Sequence, residues 1–386
     1  MGISGLNKFL RDVCPEVFEE VHISEYAYKK VAIDISLYLY LFKARHYDPD
    51  APNDVSGWLG SFIKFVECLR KYELHSVFIY DACGVSHPDK EEERKERRAA
   101  RAKLEEKVYK LEEAIERFHE IGEIDPCIVE FMEKKNKKSK QKRLLRPEST
   151  SIDIKTVEFY LKKLKRQLFQ VTPRDFQLTK ELFDILDVPY FDAPLEAETM
   201  CSDLCKRGIV DAVMSRDTDV MAYGSPVFLT NIDAGTGVCL RVAYPNLLEL
   251  LEFTNDQFLD FCIMCGTDYN KNIFKVGPKT AFKLMTTHGS IEKIHQNTKH
   301  DTAILKAERG RELFRDYEKA NVTVPYCGSP NFKDLGVFLA KHNVRISVES
   351  LKKAFVHNTI IFEEEESDEE EILIESSDEA ECVNKF

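Results

Sequence analysis

Seven acidic residues occupy positions from which separate elements could direct carboxylates at one ligand. Asp34 ends the apolar run VAID, Asp81 ends VFIYD, and the pair Asp217 and Asp219 follows DAVMS. The carboxyl ends of parallel strands in an open α/β sheet lie at one edge, where ligands bind. The sequence therefore predicts a cleft that gathers acids from several elements. The acids assigned to it are Asp34, Asp81, Glu196, Glu198, Asp217, Asp219 and Asp268.

So many carboxylates cannot stay ionised in one cleft without cations, because like charges raise one another's pKa. Hard divalent ions such as Mg²⁺, or Mn²⁺ in its place, prefer a set of oxygen ligands. Two such ions could activate a water and stabilise the leaving oxygen in phosphodiester hydrolysis. An isolated D-x-D pair means little among 67 acids. The prediction of a metal site therefore depends on the repeated placement of acids at strand ends.

Short apolar runs alternate with helical patterns, which predicts an α/β fold with a mostly parallel central sheet flanked by helices. The predicted strands are 29–35, 75–81, 188–193, 211–217, 225–232 and 238–244, and helices are predicted at 57–72, 173–187 and 196–208. Over a hundred residues separate the second and third strands. That stretch has a helical composition, with Pro126 and Pro147 as interruptions, and predicts a helical insertion. Residues 254–296 are also predicted to be rich in helix.

Charge is strongly grouped along the chain. Residues 363–381 carry twelve acids and no base, which equals the whole net charge of −12. This segment belongs to a predicted disordered acidic tail, 363–386. Residues 133–146 carry eight bases against one acid, which favours contact with a polyanion. The candidate DNA-binding lysines in that run are Lys134, Lys135, Lys137 and Lys138. The same run could serve as a nuclear localisation signal.

Several classes of protein are disfavoured by composition. No apolar run reaches the roughly 18 residues of a membrane span, and the N-terminus lacks the pattern of a secretory signal. Eleven scattered cysteines favour reduced thiols. The spaced pairs Cys201/Cys205 and Cys262/Cys265 are interpreted as buried thiols in preference to zinc ligands. These features predict an intracellular protein with no membrane partner, in the nucleus or the cytoplasm of a host cell.

The same acidic motifs resemble those of the flap endonuclease family, structure-specific 5′ nucleases of the PIN-like superfamily. The matching segments are MGISGL with KVAIDISLYLY, then VFIYD, APLEAET, SRDTDVMAYGSP and FLDFCIMCGTDYN. The resemblance covers roughly residues 1–96 and 173–300, and all seven acids have counterparts in order. It implies that Asp34, Asp81 and Glu198 dominate one metal and that Asp217 and Asp219 dominate the other. Glu196 and Asp268 would act mainly through water.

The resemblance also implies a set of DNA contacts. KVGPKTA resembles the hairpin of a helix–two-turn–helix that engages duplex DNA and a K⁺ ion, giving Lys275, Gly277 and Lys279. Lys275 stands where the family usually has glycine, a departure that affects the expected K⁺ site more than the phosphate-binding turn. Tyr40 matches an aromatic residue of the family that stacks on a base. Without the resemblance, its sequence context is typical of a core or interface tyrosine. Gly2 matches a small residue near the site, which would require removal of Met1.

The resemblance further implies that a lysine and an arginine, shortly after Asp81, contact the phosphate at the cleaved bond. Lys90 is the lysine, and either Arg94 or Arg97 is the arginine. The insertion is longer than a typical arch of the family, so it could thread a 5′ single strand or hold duplex backbone.

The predicted organisation is a nuclease region at 1–97, a basic helical insertion at 98–172, a second nuclease region at 173–362 and the tail. We expect a monomer, without a clear sliding-clamp motif, that cuts DNA at a 5′ flap, nick, gap or junction in replication, repair or recombination. The alternatives are a silent DNA-binding scaffold of the same fold, a Holliday-junction resolvase or 5′ exonuclease relative, and a nuclease acting on RNA.

Overall fold

The structure is a computed structural model that describes residues 2–82, 87–140 and 153–356, without the side chains of 134–140 and 356. A sheet of seven strands runs through this part of the chain in the order β1-β7-β6-β5-β2-β3-β4. The strands are β1 (Glu19–His22), β2 (Lys30–Asp34), β3 (His75–Tyr80), β4 (Tyr190–Asp192), β5 (Ala212–Met214), β6 (Val227–Thr230) and β7 (Val238–Ala243). The five strands from β6 to β4 pair in parallel, whereas β7 pairs antiparallel with both of its neighbours.

Sixteen α-helices lie in the described residues, and several of them cover the two faces of the sheet. They are α1 (Leu6–Val13), α2 (Ile35–His46), α3 (Ser56–Lys71), α4 (Glu91–Ile121), α5 (Pro126–Lys140), α6 (Ile154–Lys165), α7 (Pro173–Leu186), α8 (Ala197–Lys206), α9 (Asp219–Ala222), α10 (Tyr244–Leu251), α11 (Asn255–Cys265), α12 (Pro278–His288), α13 (Ile291–Asn297), α14 (Ala307–Arg315), α15 (Phe332–Lys341) and α16 (Val348–Val356). The central strand β2 is buried at every position after its first residue. Strands buried on both faces are expected to be continuously apolar, which explains the run VAI.

Three apolar clusters stabilise the described part of the chain. One packs α1, α8 and α11 against one face of the sheet. The second packs α2, α3 and α7 against the other face, with Trp58, Phe62 and Phe78 at its centre. The third lies within α4, α5 and α6 and includes Leu111, Phe131 and Leu161. The insertion therefore has a small core of its own.

The structure confirms the predicted α/β fold and all six predicted strands. Strand β1 was missed because it is a four-residue edge strand in which Val21 alone is buried. The helical prediction for the insertion is confirmed for its described residues, 98–140 and 153–172, and Pro126 begins α5. Residues 254–296 contain α11, α12 and most of α13, as predicted. The domain boundaries remain predictions, and Pro147 and the acidic tail lie outside the described residues. None of the described helices combines the length and the apolar character of a membrane span.

Candidate active site

The candidate site lies where the strand order reverses. From β2 the chain builds β3 and β4 outward on one side, then crosses back to place β5 on the other side of β2. Helix α8 makes this crossing and packs against β2, β3 and β5. A crevice at the carboxyl ends of the strands is expected at such a switch point. The acids after β2, β3, β4 and β5 therefore face one another despite their distance in sequence.

All seven predicted carboxylates meet at this crevice. Six of them line a cavity, which we term the acidic cavity, together with Lys90, Arg94 and Arg97. The six acids are Asp34, Asp81, Glu196, Glu198, Asp217 and Asp268. The seventh, Asp219, lies beside them, because carboxylate oxygens of Glu198, Asp217 and Asp219 are all within 4.8 Å of one another.

Short polar contacts fix the first two aspartates. The Asp34 carboxylate caps α2 by accepting a hydrogen bond of 3.0 Å from the Ser36 backbone N–H. The Ser36 hydroxyl donates to Asp81 at 2.7 Å, and the Ala197 N–H at the start of α8 donates to Asp81 at 2.9 Å. Backbone donors at helix N-termini favour a negative charge. These contacts fix the positions of the ends of β2 and β3 and the start of α8 relative to one another at the cavity.

The carboxylates are poorly neutralised by the protein itself. Burial raises the pKa of Asp34 well above its usual value, and the nearby charges of Asp81 and Glu198 add to the rise. Burial likewise raises the pKa of Glu198 to about 8, against the opposing effect of Lys90. The Asp219 Oδ1 atom is buried without a hydrogen-bond partner in the described part of the chain. An all-oxygen donor set with an unsatisfied buried carboxylate oxygen fits hard divalent cations.

Lys90 is the main positive charge among the acids. Its Nζ atom lies 2.7 Å from Glu196 Oε1 and 3.2 Å from Glu198 Oε1. Burial acts to lower the pKa of Lys90, but these two carboxylates outweigh burial and raise it above its usual value. Lys90 also lies 4.9 Å from the centre of the Tyr269 ring. The lysine stays charged and partly offsets the repulsion among the carboxylates.

The two candidate arginines have different surroundings. Arg94 donates to the backbone carbonyls of His87 and Lys90, so its guanidinium ties down the first turn of α4. The side chain of Arg97 is 58% exposed and contacts Glu93 and Asp268, the latter at 3.3 Å. Arg97 can therefore turn towards a ligand in the cavity, whereas Arg94 is committed to backbone contacts.

Comparisons with known proteins agree with this geometry. The family model for the XPG N-terminal domain matches residues 1–104, and the model for the XPG I-region matches residues 187–268. The probable RAD2-like endonuclease 369L of Invertebrate iridescent virus 6 is 31% identical, with 92% of both chains covered. Flap endonuclease 1-A of Sorghum bicolor is 30% identical over 92% of this chain and 87% of its own length.

The chain belongs to the flap endonuclease family. Solved structures share its fold at lower identity. The catalytic core of Rad2 in complex with DNA substrate has a TM-score of 0.63 at 17% identity, covering 92% of this chain and 99% of that chain. Flap endonuclease-1 from Methanococcus jannaschii has a TM-score of 0.57 at 20% identity, covering 88% of this chain and 95% of that chain. The predicted family and PIN-like fold are confirmed.

Gly2 of this flap endonuclease family member lies against the acidic cavity, as the sequence resemblance implied. Its φ is +81°, and a Cβ atom there would lie 1.9 Å from Asp217 Oδ1 and 2.9 Å from the Asp219 backbone nitrogen. A side chain at this position would therefore displace the paired aspartates. The close approach of the chain to Asp217 therefore depends on glycine at position 2.

We predict that Gly2→Ala lowers the rate of metal-dependent DNA cleavage by roughly tenfold or more, because a 1 Å misplacement of reacting groups is costly. Gly208→Ala is the matched control. Gly208 also has a positive φ, +68°, but an added Cβ would meet nothing within 4 Å. Single-turnover rates of both variants test the prediction. Equal rates would show that backbone strain, and not contact with Asp217, accounts for any loss.

Tyr269 is a site residue that the sequence reasoning did not single out. Its hydroxyl donates to Glu196 Oε2 at 2.8 Å and lies 3.1 Å from the Tyr223 hydroxyl. Burial raises the pKa of Tyr269, so the phenol stays protonated and acts as a donor. Its position next to Asp268 in GTDYN was the available signal. The ring and the hydroxyl together hold Lys90 and Glu196 in place.

We predict that Tyr269→Phe raises the Mg²⁺ concentration needed for half-maximal cleavage by about three- to tenfold. The change removes the hydrogen bond that orients Glu196 but keeps the ring beneath Lys90, and lost outer contacts to metal ligands typically cost this much or more. Tyr190→Phe is the control, since it removes a hydroxyl that donates to Asp184 at 3.0 Å, outside the acidic cavity. An unchanged Mg²⁺ requirement in Tyr269→Phe would contradict the positioning role.

The other predicted DNA contacts lie on several different elements. Tyr40 is 52% exposed on α2, so the interpretation as a core tyrosine is wrong, while an interface position and base stacking stay predictions. Lys275 has a φ of +61°, in the left-handed region that favours the glycine usual in the family. Gly277 caps α12, and Lys279 is exposed in the first turn of that helix. The side chains of Lys134, Lys135, Lys137 and Lys138 lie outside the described residues.

Proposed function

We propose that this flap endonuclease family member is a structure-specific 5′ nuclease that hydrolyses DNA phosphodiesters with divalent metal ions. The observation that carries the proposal is the convergence of six carboxylates with Lys90 and Arg97 in the acidic cavity, with Asp219 directly beside them, at the switch point of the sheet. The carboxylates provide oxygen ligands for cations, and the two bases provide positive charge for a phosphate. A DNA-binding scaffold would have no need for this buried and mutually repelling set of acids.

The carboxylates fall into two groups that suit two cations. Asp217 and Asp219 sit at the end of β5, while Asp34 and Asp81 sit at the ends of β2 and β3, and Glu198 reaches between the groups from α8. Glu196 is held by Lys90 and Tyr269, and Asp268 by Arg97, so both suit contacts through water. When bound, Mg²⁺ or Mn²⁺ supplies an activated water and stabilises charge on the phosphodiester.

The basic side chains act on the phosphate itself. Lys90 and Arg97 lie seven residues apart at the start of α4 and both line the cavity. Such preplaced cations stabilise the charge that develops on a transferring phosphoryl group. The products would carry a 5′ phosphate and a 3′ hydroxyl. Recognition would depend on DNA shape and backbone, with Gly277 and Lys279 placed to contact duplex DNA at the N-terminus of α12.

We predict that Arg97→Ala lowers kcat/KM for a flap substrate by about 100-fold, the loss expected for one cationic group at the transition state. Arg98→Ala is the matched control, because Arg98 is the next residue on α4, pairs with Glu91 at 2.6 Å and lies outside the cavity lining.

Arg94→Ala should lower the melting temperature, since its guanidinium donates hydrogen bonds to the backbone carbonyls of His87 and Lys90. A larger catalytic loss in Arg94→Ala than in Arg97→Ala, at equal stability, would reverse the two assignments.

The direct test is cleavage of labelled DNAs by the full chain in Mg²⁺. The panel contains a 5′ flap, a gapped duplex, a nicked duplex, a Holliday junction and a single-stranded RNA, each repeated with Asp217→Asn. We expect cutting at the base of the flap that disappears in the variant. Strong cutting of the junction alone would place the protein with the resolvase relatives. Cutting of no DNA by the wild type would refute the nuclease proposal and favour the scaffold.

A further inference from the structure

A concave surface lies beside the acidic cavity, between α2, the start of α4, and α6 with the turn that follows it. We term it the insertion groove. Arg97 lines both the groove and the acidic cavity, so the two surfaces are adjacent. One wall comes from residues 159–169, which neither family model covers, since the models span residues 1–104 and 187–268. The motifs that place the acidic cavity therefore say nothing about what this wall binds.

Every charged residue that lines the insertion groove is basic. These residues are Arg97, Arg101, Lys162, Lys163 and Arg166. Lys163 and Arg166 are exposed, and neither forms a salt bridge with a described residue. Grouped charges of one sign attract a ligand of the opposite sign. The groove therefore suits a ligand that carries several negative charges.

The groove also exposes apolar surface. Phe159 on α6 is 67% exposed, and Leu104 and Ala100 on α4 add further apolar atoms to the lining. The opposite face of α6 packs in the core of the insertion, so that core does not need the ring of Phe159. Apolar surface rimmed by charged residues is typical of an interaction site. A ligand that matches the groove combines apolar side chains with flanking acids.

The acidic segment 363–381 has this combination. It carries twelve acids and no base, and three apolar residues, Ile-Leu-Ile at 372–374, interrupt the acids. An unbroken acidic run at 368–371 precedes the triplet, and Glu375 follows it. A segment of such high charge and low hydrophobicity cannot build a core of its own. Its apolar triplet is therefore buried only against another surface.

The chain is long enough to bring this segment to the groove. Helix α16 packs against α3, and α3 packs against α2, whose residues Tyr40 and Ala44 line the groove. Packed helices lie about 8–10 Å apart, so two such steps cover roughly 20 Å. The 16 residues of α3 add at most about 24 Å along its axis. The chain from Val356, which ends α16, to Ile372 can span about 50 Å when extended.

We propose that the acidic segment 363–381 occupies the insertion groove in the DNA-free protein, with residues 372–374 on Phe159 and the flanking acids on Lys163 and Arg166. Because the segment is tethered, its effective concentration at the groove is on the order of millimolar, and a weak contact is sufficient. DNA near the acidic cavity carries charge of the same sign and has to displace the segment. That consequence rests on the proposed nuclease function, whereas the contact itself does not.

Photocrosslinking in the full-length protein tests the contact. Benzoylphenylalanine replaces Phe159, and in the matched control it replaces Tyr109, another exposed aromatic residue of the insertion, outside the groove lining. After irradiation without DNA, crosslinked peptides are mapped by mass spectrometry. We expect crosslinks from position 159 to peptides that contain residues 372–374, at a yield that does not change with protein concentration. Absence of these crosslinks, an equal yield from position 109, or a yield that rises with concentration would overturn the proposal.

Neutralising part of the segment measures its competition with DNA. One full-length variant replaces the four acids at 368–371 with their amides, and the control replaces the four glutamates at 363–366 with glutamine. Both lose the same charge, but the first loses it beside the apolar triplet. We expect the first variant to bind a labelled 5′ flap DNA in EDTA about three- to tenfold more tightly than the wild type. An equal gain in the control would show that net charge alone acts and would contradict the docked arrangement.

A double-mutant cycle locates the competition. The 368–371 variant is combined with Lys163→Gln and Arg166→Gln, and circular dichroism and melting temperature confirm folding. We expect the gain in DNA affinity from neutralising the segment to fall to about twofold or less in this background, because the groove no longer holds the acids. An undiminished gain would place the segment on another basic surface, such as residues 133–146, and overturn the proposal. A wild type that neither binds nor cuts DNA would instead count against the proposed function, and the crosslinks would still report the contact.

Discussion

Asp219→Asn will abolish cleavage and at the same time make the metal-free protein more stable. Asp219 is 1% exposed, and one of its carboxylate oxygens lies within 4.8 Å of carboxylate oxygens of Glu198 and Asp217. At an effective dielectric constant near 20, two charges at that distance repel by about 3 kcal/mol. Burial, with the charges of Asp217 and Glu198, raises the pKa of Asp219 well above its usual value. A neutral amide removes that cost and also removes a candidate metal ligand.

The expected activity loss is on the order of 10³-fold or more, as for other members of a catalytic unit. The expected gain in the metal-free free energy of unfolding is about 1–3 kcal/mol, up to the repulsion between two partly screened like charges at this separation. Thermal melts with EDTA and with Mg²⁺ measure the second quantity. Mg²⁺ should stabilise the wild type by mass action and should stabilise the variant less.

Asp260→Asn is the matched control for Asp219→Asn. Asp260 is equally buried, but it accepts hydrogen bonds from Arg311 at 2.6 and 2.8 Å. Its replacement should lower stability and leave cleavage close to that of the wild type. If both variants lost stability to the same degree in EDTA, the idea of unneutralised charge at Asp219 would be wrong.

Lys90→Met will also suppress cleavage, but with the opposite effect on metal-free stability. The substitution leaves Glu196 and Glu198 without the cation that contacts both of them at 2.7 and 3.2 Å. The three side chains are largely buried, and breaking such an ion pair from one side costs about 3–5 kcal/mol. We expect a loss of about 10²- to 10³-fold in kcat from the missing positive charge at the phosphate. Mg²⁺ should restore part of the lost stability, because it can take over the neutralisation.

The matched control for Lys90→Met is Lys43→Met, which breaks a buried pair with Asp175 outside the acidic cavity. Both variants should melt at lower temperature in EDTA. Mg²⁺ should raise the melting temperature of Lys90→Met by more than that of Lys43→Met, and cleavage well below the melting temperature should be lost only in Lys90→Met. Equal cleavage by the two variants would falsify a catalytic role for Lys90.

Much of the fold and the acidic set followed from local sequence patterns. Buried parallel strands must be continuously apolar, so the apolar residues of VAID and VFIYD were recognisable as strands. The acid that ends each run was therefore recognisable as a residue at the carboxyl end of a strand. The family motifs then gave all seven carboxylates in order. These features are predictable because each depends on a few neighbouring residues. The edge strand β1 was missed for the converse reason, since its pairing with β7 depends on residues more than 200 positions away.

The tertiary structure decided how those residues act on one another. The sequence left Arg94 and Arg97 as equal candidates, and only the backbone contacts of Arg94 and the exposure of Arg97 distinguish them. Tyr40 has the sequence context of a core residue, yet it is half-exposed and its ring contacts Phe169 from the turn after α6.

The amino-acid sequence by itself determined the chemistry of this protein, that is, which carboxylates and bases it carries and which strands deliver them. The tertiary structure alone decided which contacts hold the reacting side chains in position. Gly2 packs against Asp217, and Tyr269 donates a hydrogen bond to Glu196 while its ring lies beside Lys90. Those contacts join segments that are far apart in the chain. Their distances are set by how the sheet, the crossover helix and the insertion pack together, and no local pattern encodes that packing.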